Sequence, residues 1–517
     1  MLVEPQNIVN LFCCTGRDGH MPLPPFFSPR CPTILLPLCL RESAFVYSGL
    51  RRHVAVGASD PSILHDNASC VEGIRRAALS SANRNLGVVM RALIMVIVLS
   101  FLSACGSMRP TAPPQALRCD LDRFAVKDIY SKESVFFRAQ ALRQPGKPPS
   151  FNVLALSAGG EFGAYGSGFL AGWDSVGANA LPSARRDIQV VTGVSTGALM
   201  ATHAFLGGMD EFMVERYSHL AAADVYRKRS YLELIKANSL FDTSKKDELI
   251  SGLITSELID KVAAESDRGL YLGFVNADTG AFVRIDMVAL ANGDQTGVYK
   301  TKVDRDVCYQ AVVGASSAIP VAFSPKFIDD QMLIDGGARW FLFLTEVPPT
   351  SAVAGMSRRL FSFVHGNLSI SCSEKVKNGV LAIAERTSSI AGDQNFKGSI
   401  RLVEDLARRP ISSNDPSPTF ATFYAAAVSA ATACEPTRRQ CSQDGAGGDL
   451  FCPAYESCLA IQGRADGIGA TKPGQTGGIG SWLRFEDLKL GSENTCTSSG
   501  ASAPNSGPTT APRRVFQ

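Results

Sequence analysis

Apolar positions along the chain fall into a few sharply bounded runs separated by glycine-rich turns. "FNVLALS", from Phe151 to Ser157, is a continuous apolar run that passes into "AGGEFGAYGSGFLAGW". A buried strand, a turn and a small-residue helix in that order predict a βα unit. A second unit follows, with Asp187–Thr192 ("DIQVVT") as its strand, Gly193–Gly197 as its turn and Ala198–Leu206 as its helix. Further on, "TSELIDKVAAE" reads as a helix, and "YLGFVNADTGAFVRIDMV" as two strands joined at Asp278-Thr279-Gly280. Past residue 345, "VLAIAERTSSIAGDQNFKGSIRLVEDLARR" has helical character and "FATFYAAAVSAATACE" is apolar enough to pack on a sheet. Strands alternating with helices predict an α/β fold, whose sites gather at the carboxyl ends of the strands.

The two ends follow a different pattern. Residues 1–89 hold Pro-rich pieces such as "MPLPPFFSPRCP" and no sustained period of 2 or 3.6, so they predict no domain. Next come Met90, a basic Arg91, 13 mostly apolar residues from Ala92 to Ala104, and Cys105. That run is shorter than the roughly 20 residues a membrane-spanning helix needs, and its flanks are those of a signal peptide. "LSAC", ending at Cys105, resembles the lipobox of bacterial lipoproteins, which implies a signal peptide over 90–104 and acylation of Cys105. The expectation is that translation begins at or near Met90, that residues 1–89 are an upstream over-extension, and that the chain is lipid-anchored in a bacterial envelope, at the outer membrane. Residues 105–149 then serve as anchor, tether and N-terminal helical segment, beginning with the Pro-rich "GSMRPTAPPQAL". Residues 346–462 are expected to pack on a core at 150–345. Residues 463–517, rich in Gly, Ser and Pro, are expected to be a largely disordered tail apart from "WLRFEDLKL", which can dock on the body.

Composition narrows the classes of function. Of 517 residues, 45% are hydrophobic and 19% charged, enough for a large core, and the net charge of +3 gives no basic field suited to nucleic acid. Eight cysteines follow Cys105, at 119, 308, 372, 434, 441, 452, 458 and 496. The even number suits an oxidising compartment. The crowded set from Cys434 to Cys458 has no His beside it and wider spacing than zinc pairs, so disulfides are expected there, with connectivity left open.

Candidate chemistry centres on Gly193-Val194-Ser195-Thr196-Gly197. In G-x-S-x-G at a strand-to-helix turn, the serine is held in a strained backbone with its hydroxyl exposed, and the flanking elbow glycines, Gly193 and Gly197, avoid collisions. A nucleophilic serine needs a base. His203 lies eight residues along the same helix, about 12 Å away at 1.5 Å per residue, too far to take the proton. His219 follows in a polar helical stretch. His365, at the end of "LFSFVHG", would complete a Ser195, Asp335, His365 chain order like that of an α/β-hydrolase triad. Asp335 itself follows the apolar strand "QMLI" and opens "DGG", so its carboxylate can stand at the sheet edge. "GSGFLA" (Gly166–Ala171) fits a relaxed dinucleotide fingerprint but falls inside the predicted helix, and no phosphate-loop Lys-Ser or Lys-Thr follows it.

Taken in order, "AGGEFG" (158–163), "GVSTG" 36 residues after Gly159, "ASSAIP" and "DGG" resemble the patatin-like phospholipase family over about residues 150–345. The resemblance implies a three-layer α/β/α fold with a central, mostly parallel sheet and a nucleophile elbow. It also implies a Ser195–Asp335 dyad without histidine, an oxyanion hole from Gly159, Gly160 and Gly163 with help from Thr196, and no cofactor. The substrates it implies are phospholipids or other glycerolipids, met at a membrane surface. The chain departs from the family at Ala158, where the family has glycine, and at Phe162, where it has Arg or Lys; the missing cation bears on rate and head-group preference. Two other classes remain: a serine esterase using His365, and a non-catalytic envelope lipoprotein. "VYRKRSYLELIKANSLFDTSKK" mixes basic and apolar residues, as either a segment near anionic head groups or an amphipathic helix with a solvated basic face.

Overall fold

The computed structural model describes residues 117–126, 150–176, 188–207, 211–234, 237–265, 267–344, 356–366, 368, 376, 378–412, 415–441, 451–469, 482–488 and 490. The expectations for the upstream extension, the signal peptide and Cys105 fall outside these residues.

Two βα units open the fold. Strand β1 (Ser150–Leu156) leads through the glycine loop to helix α1 (Gly163–Ser175), and β2 (Val190–Val194) leads through the serine turn to α2 (Thr196–Leu206). Helix α3 (Glu211–Ser218) is followed by a two-stranded ribbon, β3 (Arg227–Lys228) and β4 (Phe241–Asp242), and then by α4 (Ser244–Leu253) and α5 (Ser256–Ala263). Strands β5 (Gly269–Asn276) and β6 (Phe282–Asp286) form the expected antiparallel pair. Helix α6 (Lys302–Ser316), β7 (Lys326–Ile328) and β8 (Gln331–Asp335) complete the first part of the sheet. Beyond them lie β9 (Ser357–Val364), the long α7 (Val380–Arg408), the small pair β10 (Pro410–Ser412) and β11 (Asp415–Pro418), and β12 (Ala421–Ala426). Helices α8 (Val428–Cys441) and α9 (Pro453–Gly469) close the described chain, with a short turn at Phe485–Leu488.

The central sheet has the order β12-β9-β1-β2-β5-β8-β7, with β6 also on β5. Its first five strands are parallel, and β6, β7 and β8 pair antiparallel. Alternation along β1 divides its apolar run between two cores. Leu154 and Leu156 join α1, α2, α6 and α9 on one face. Phe151, Val153 and Ala155 join Phe396, Ile400 and Val403 of α7 on the other. Two covered faces explain why β1 and β2 read as unbroken apolar runs, and the result is three layers, α/β/α.

One boundary expectation changes. The chain continues as helix through Gly469, so the segment from 463 is not tail at its start. Gly463 and Gly467 on α9 face the Tyr165 and Phe169 carbonyls of α1, where an added Cβ would lie 2.1 and 2.2 Å away; reciprocally, Gly168 and Gly172 of α1 face the Ala460 and Arg464 carbonyls. Facing glycine stripes let two backbones pack directly together, a use that glycine-rich composition alone does not reveal. Trp482 of the "WLRFEDLKL" patch docks as expected, its ring 5.1–5.6 Å from Phe169, Trp173, Phe361 and Phe363. The basic stretch from Val225 to Lys246 forms no single amphipathic helix. Its ends pair as β3 and β4, and Leu240 and Phe241 bond onward to the Val321 and Ala322 carbonyls.

Candidate active site

Sheet register brings the two candidate groups together. Val194, the last residue of β2, is level with Gly273 of β5, and on the other side of β5 Phe274 is level with Asp335. Ser195 and Asp335 therefore flank the same point of one strand. Gly336 lets them close up, since a Cβ there would lie 2.5 Å from the Gly273 carbonyl and 2.9 Å from Val194 Cγ1.

Ser195 has φ 54° and ψ −118°, the strained geometry expected of an elbow serine. Three contacts fix it. Its N–H donates to Ser316 Oγ (3.0 Å), whose own hydroxyl donates to the Gly273 carbonyl (2.6 Å). The Gly197 N–H donates to the Ser157 carbonyl (3.1 Å), which anchors the following helix on the end of β1. Gly193 and Gly197 act as expected: a Cβ at Gly193 would meet the Gly197 carbonyl at 2.7 Å, and one at Gly197 the Leu156 carbonyl at 2.3 Å.

Asp335 is buried, and its backbone N–H donates to the Ala318 carbonyl (2.9 Å). Its Oδ1 accepts from the Gly337 N–H (2.7 Å), while among the described residues Oδ2 has no hydrogen-bond partner of ordinary geometry. Burial pushes this carboxyl up to about 6, against the opposing pull of the Ser195 hydroxyl, the Gly337 N–H and the charge of Lys246. A carboxylate with one oxygen anchored and the other open beside a serine hydroxyl is arranged as a proton acceptor.

Lys246 escaped the sequence analysis because it lies in a basic run that reads as a solvated face. Here it is buried, its Nζ donating to the Gly314 carbonyl (3.2 Å), the Ser317 carbonyl (2.8 Å) and Ser317 Oγ (3.2 Å) at the carboxyl end of α6. Desolvation lowers its pKa to about 8. It thus clamps the turn whose Ser316 hydroxyl and Ala318 carbonyl hold Ser195 and Asp335.

The glycine loop lies against the elbow through Thr196, whose hydroxyl donates to the Gly160 carbonyl (3.0 Å). Gly160 has φ +56°, a left-handed conformation that favours glycine. Among the described residues the N–H groups of Gly159, Gly160 and Thr196 have no hydrogen-bond acceptor. Gly163 differs from the expectation: its N–H turns back to the Gly160 and Glu161 carbonyls, closing a 3-10 turn, so it is not a free donor. Its contribution is closeness, because a Cβ there would lie 2.6 Å from Thr196 Cγ2. Phe162 is buried, and a cation reaches its neighbour from elsewhere in the fold: Arg438 of α8 pairs with Glu161 at 2.7 Å.

His365 does not join the pair. It is fully buried, its Nδ1 bonds the Ser157 carbonyl (2.9 Å), and Nε2 faces Gly166 of α1, where a Cβ would lie 2.3 Å away. Burial lowers its pKa to about 4. His203 bonds the Leu253 carbonyl (3.0 Å) and His219 the Glu215 carbonyl (3.0 Å). A cavity of about 1110 Å³ opens beside the glycine loop. Its buried lining includes Phe162, Phe396 and His365, its charged lining Glu161, Asp393, Glu435, Arg438 and Arg439, and Gly159 links it to the loop, while Ser195 and Asp335 do not line it. Among the described residues no cluster of three His, Cys, Asp or Glu side chains suits a metal ion.

Comparison with known proteins gives one family match: residues 154–348 fit the family model described as patatin-like phospholipase. Among solved structures, VipD from Legionella pneumophila is similar at 10% identity and a TM-score of 0.24, covering 66% of this chain and 90% of that one. No curated protein sequence matches.

Proposed function

Since residues 154–348 are a patatin-like phospholipase domain and the chain is thereby a lipid acyl hydrolase, we propose that it cleaves fatty acyl esters of phospholipids or related glycerolipids through a Ser195–Asp335 dyad. The observation that carries this reading is the convergence of a strained serine and a buried, half-anchored carboxylate across β5. Asp335 takes the proton as the Ser195 oxygen attacks the ester carbonyl. The N–H groups of Gly159, Gly160 and Thr196 receive the developing oxyanion, and Asp335 passes its proton to the departing alcohol as the acyl-serine forms; Asp335 then takes a proton from the attacking water and returns it to the Ser195 oxygen as the fatty acid leaves. The cavity beside Gly159 has both aromatic walls, from Phe162, Phe341 and Phe396, and charged ones, from Arg438, Arg439 and Glu435, which suits an amphiphilic substrate.

The proposal extends to place. Acylation at Cys105 would hold the domain on a membrane of the bacterial envelope, the outer membrane by expectation. The "LSAC" motif and three disulfides, Cys119–Cys308, Cys434–Cys458 and Cys441–Cys452, support export. Among the described residues no helix is long and apolar enough to cross a membrane.

The test is fatty acid release from mixed phospholipid vesicles by the wild type and by Ser195→Ala. Release by the wild type alone supports the reading. Equal release by both, or by neither, refutes it.

A further inference from the structure

The basic stretch that sequence leaves ambiguous ends in an exposed apolar tip. Leu232, in the short helix Tyr231–Leu234 between β3 and β4, is 77% exposed, and Leu240 is 47% exposed. Beside Leu240 stands Val321, 70% exposed at φ +69°, its carbonyl accepting from the Leu240 N–H at 2.8 Å. A β-branched residue in that conformation is a backbone outlier that the surroundings must hold in place. The strained backbone serves the carbonyl that holds Leu240, while the valine side chain itself adds nothing to the core.

The platform beneath is an aromatic cluster. Tyr226 lies 4.5 Å from Phe241 and 5.9 Å from Phe323, ring centre to ring centre, and the Lys246 ammonium sits over Phe323 at 5.4 Å. Arg227 is braced by Glu233 (2.8 Å) and Asp242 (3.1 Å). Between residues 227 and 246 the sequence has six basic residues and two acidic ones, and Arg227, Lys228 and Lys245 are exposed. The tip is also joined to the site. Val321 lies three residues beyond Ala318, whose carbonyl holds the Asp335 N–H, so at most about 10 Å of chain separates the two.

We propose that this ribbon tip is the surface by which the enzyme docks on an anionic lipid layer, with Leu232, Leu240 and Val321 entering the interface and the exposed Arg227, Lys228 and Lys245 lying over phosphate head groups. The proposal rests on the lipid hydrolase reading for its purpose. Three aliphatic side chains and a net positive surround have the composition of an interfacial anchor. Docking there presents the Ala318–Asp335 edge of the site to the layer from which substrate is drawn.

The test uses the full chain carrying Cys105→Ser, so that acylation supplies no attachment. Two further variants are Leu232→Asp with Leu240→Asp, and Val321→Gly, which removes the apolar group while relieving the backbone. One readout is hydrolysis of equimolar phosphatidylglycerol–phosphatidylcholine vesicles against a monomeric short-chain ester. The expected result is about a tenfold or greater loss on vesicles, with hydrolysis of the monomeric ester unchanged. The second readout is vesicle flotation in a Ser195→Ala background, which needs no catalysis and is expected to fall with both sets of changes. Wild-type rates on vesicles and unaltered flotation would overturn the docking surface. A chain that hydrolyses neither ester would overturn the hydrolase reading, and flotation would still decide the surface.

Discussion

At the scale of single residues, the proposed chemistry depends on a carboxylate that burial makes a better base. Asp335 titrates at about 6, above an ordinary carboxyl, and must be ionised to accept the serine proton. Activity should therefore rise with pH through about 6, and kcat/KM measured between pH 4 and 8 checks the position of that limb. Asp335→Asn should lower kcat/KM by about 10²- to 10⁴-fold, as expected for loss of a general base. Lys246 acts through other groups. Its positive charge holds the Asp335 pKa down, so Lys246→Met should move the acid limb to higher pH, and a variant whose only defect is structural would lower the rate without moving the limb. Ser195, Asp335 and the elbow glycines were legible in sequence because each answers a local demand: a strained turn, a close backbone approach, a carboxylate at a strand end. Lys246 and Ser316 were not, since burial of the one and the hydroxyl contact of the other come from packing between α4, α6 and β5, which no spacing encodes. For Gly163 the motif gave the right location and the wrong role, because its N–H is consumed within the loop.

At the scale of elements, the two βα units were readable from apolar runs and turns, and the sheet formed as those runs imply. The partners of the elements were not. "IQGRADGIG" has the composition of a mobile tail, yet Gly463 and Gly467 form the contact stripe of α9 against α1. A Cβ at 463 would lie 2.1 Å from the Tyr165 carbonyl, a backbone atom with little freedom to move. Gly463→Ala should thus destabilise the fold by about 1–3 kcal/mol through overpacking, read as a lower melting temperature. An exposed helical glycine replaced by alanine would instead be neutral or stabilising. The β3–β4 ribbon makes the same point in reverse: a segment with the patterning of one helix folds back as a ribbon because β3 pairs with β4 and the Val321 and Ala322 carbonyls accept from Leu240 and Phe241.

At the scale of the whole molecule, three crosslinks among the described residues tie separate segments together. Cys119–Cys308 fastens the N-terminal segment to α6 across a sequence separation of 189, and Cys434–Cys458 encloses Cys441–Cys452 between α8 and α9. The even cysteine count announced disulfides but carried no information on pairing, which depends on where the fold brings the sulfurs. Replacing Cys119 and Cys308 by serine should cost about 2–5 kcal/mol of stability, measured by denaturant unfolding. Helices α7 and α8 bring Phe396 and Arg438 to the cavity beside the glycine loop, so residues beyond 348 line the space next to the proposed site. Labelling with an active-site-directed fluorophosphonate, followed by peptide mapping and repeated across pH, tests the proposed chemistry most directly. A single adduct on Ser195, forming at a rate that rises through about pH 6 and collapses in Asp335→Asn, is the predicted result. An adduct on another residue, or a Ser195 rate indifferent to pH and to Asp335, would contradict it.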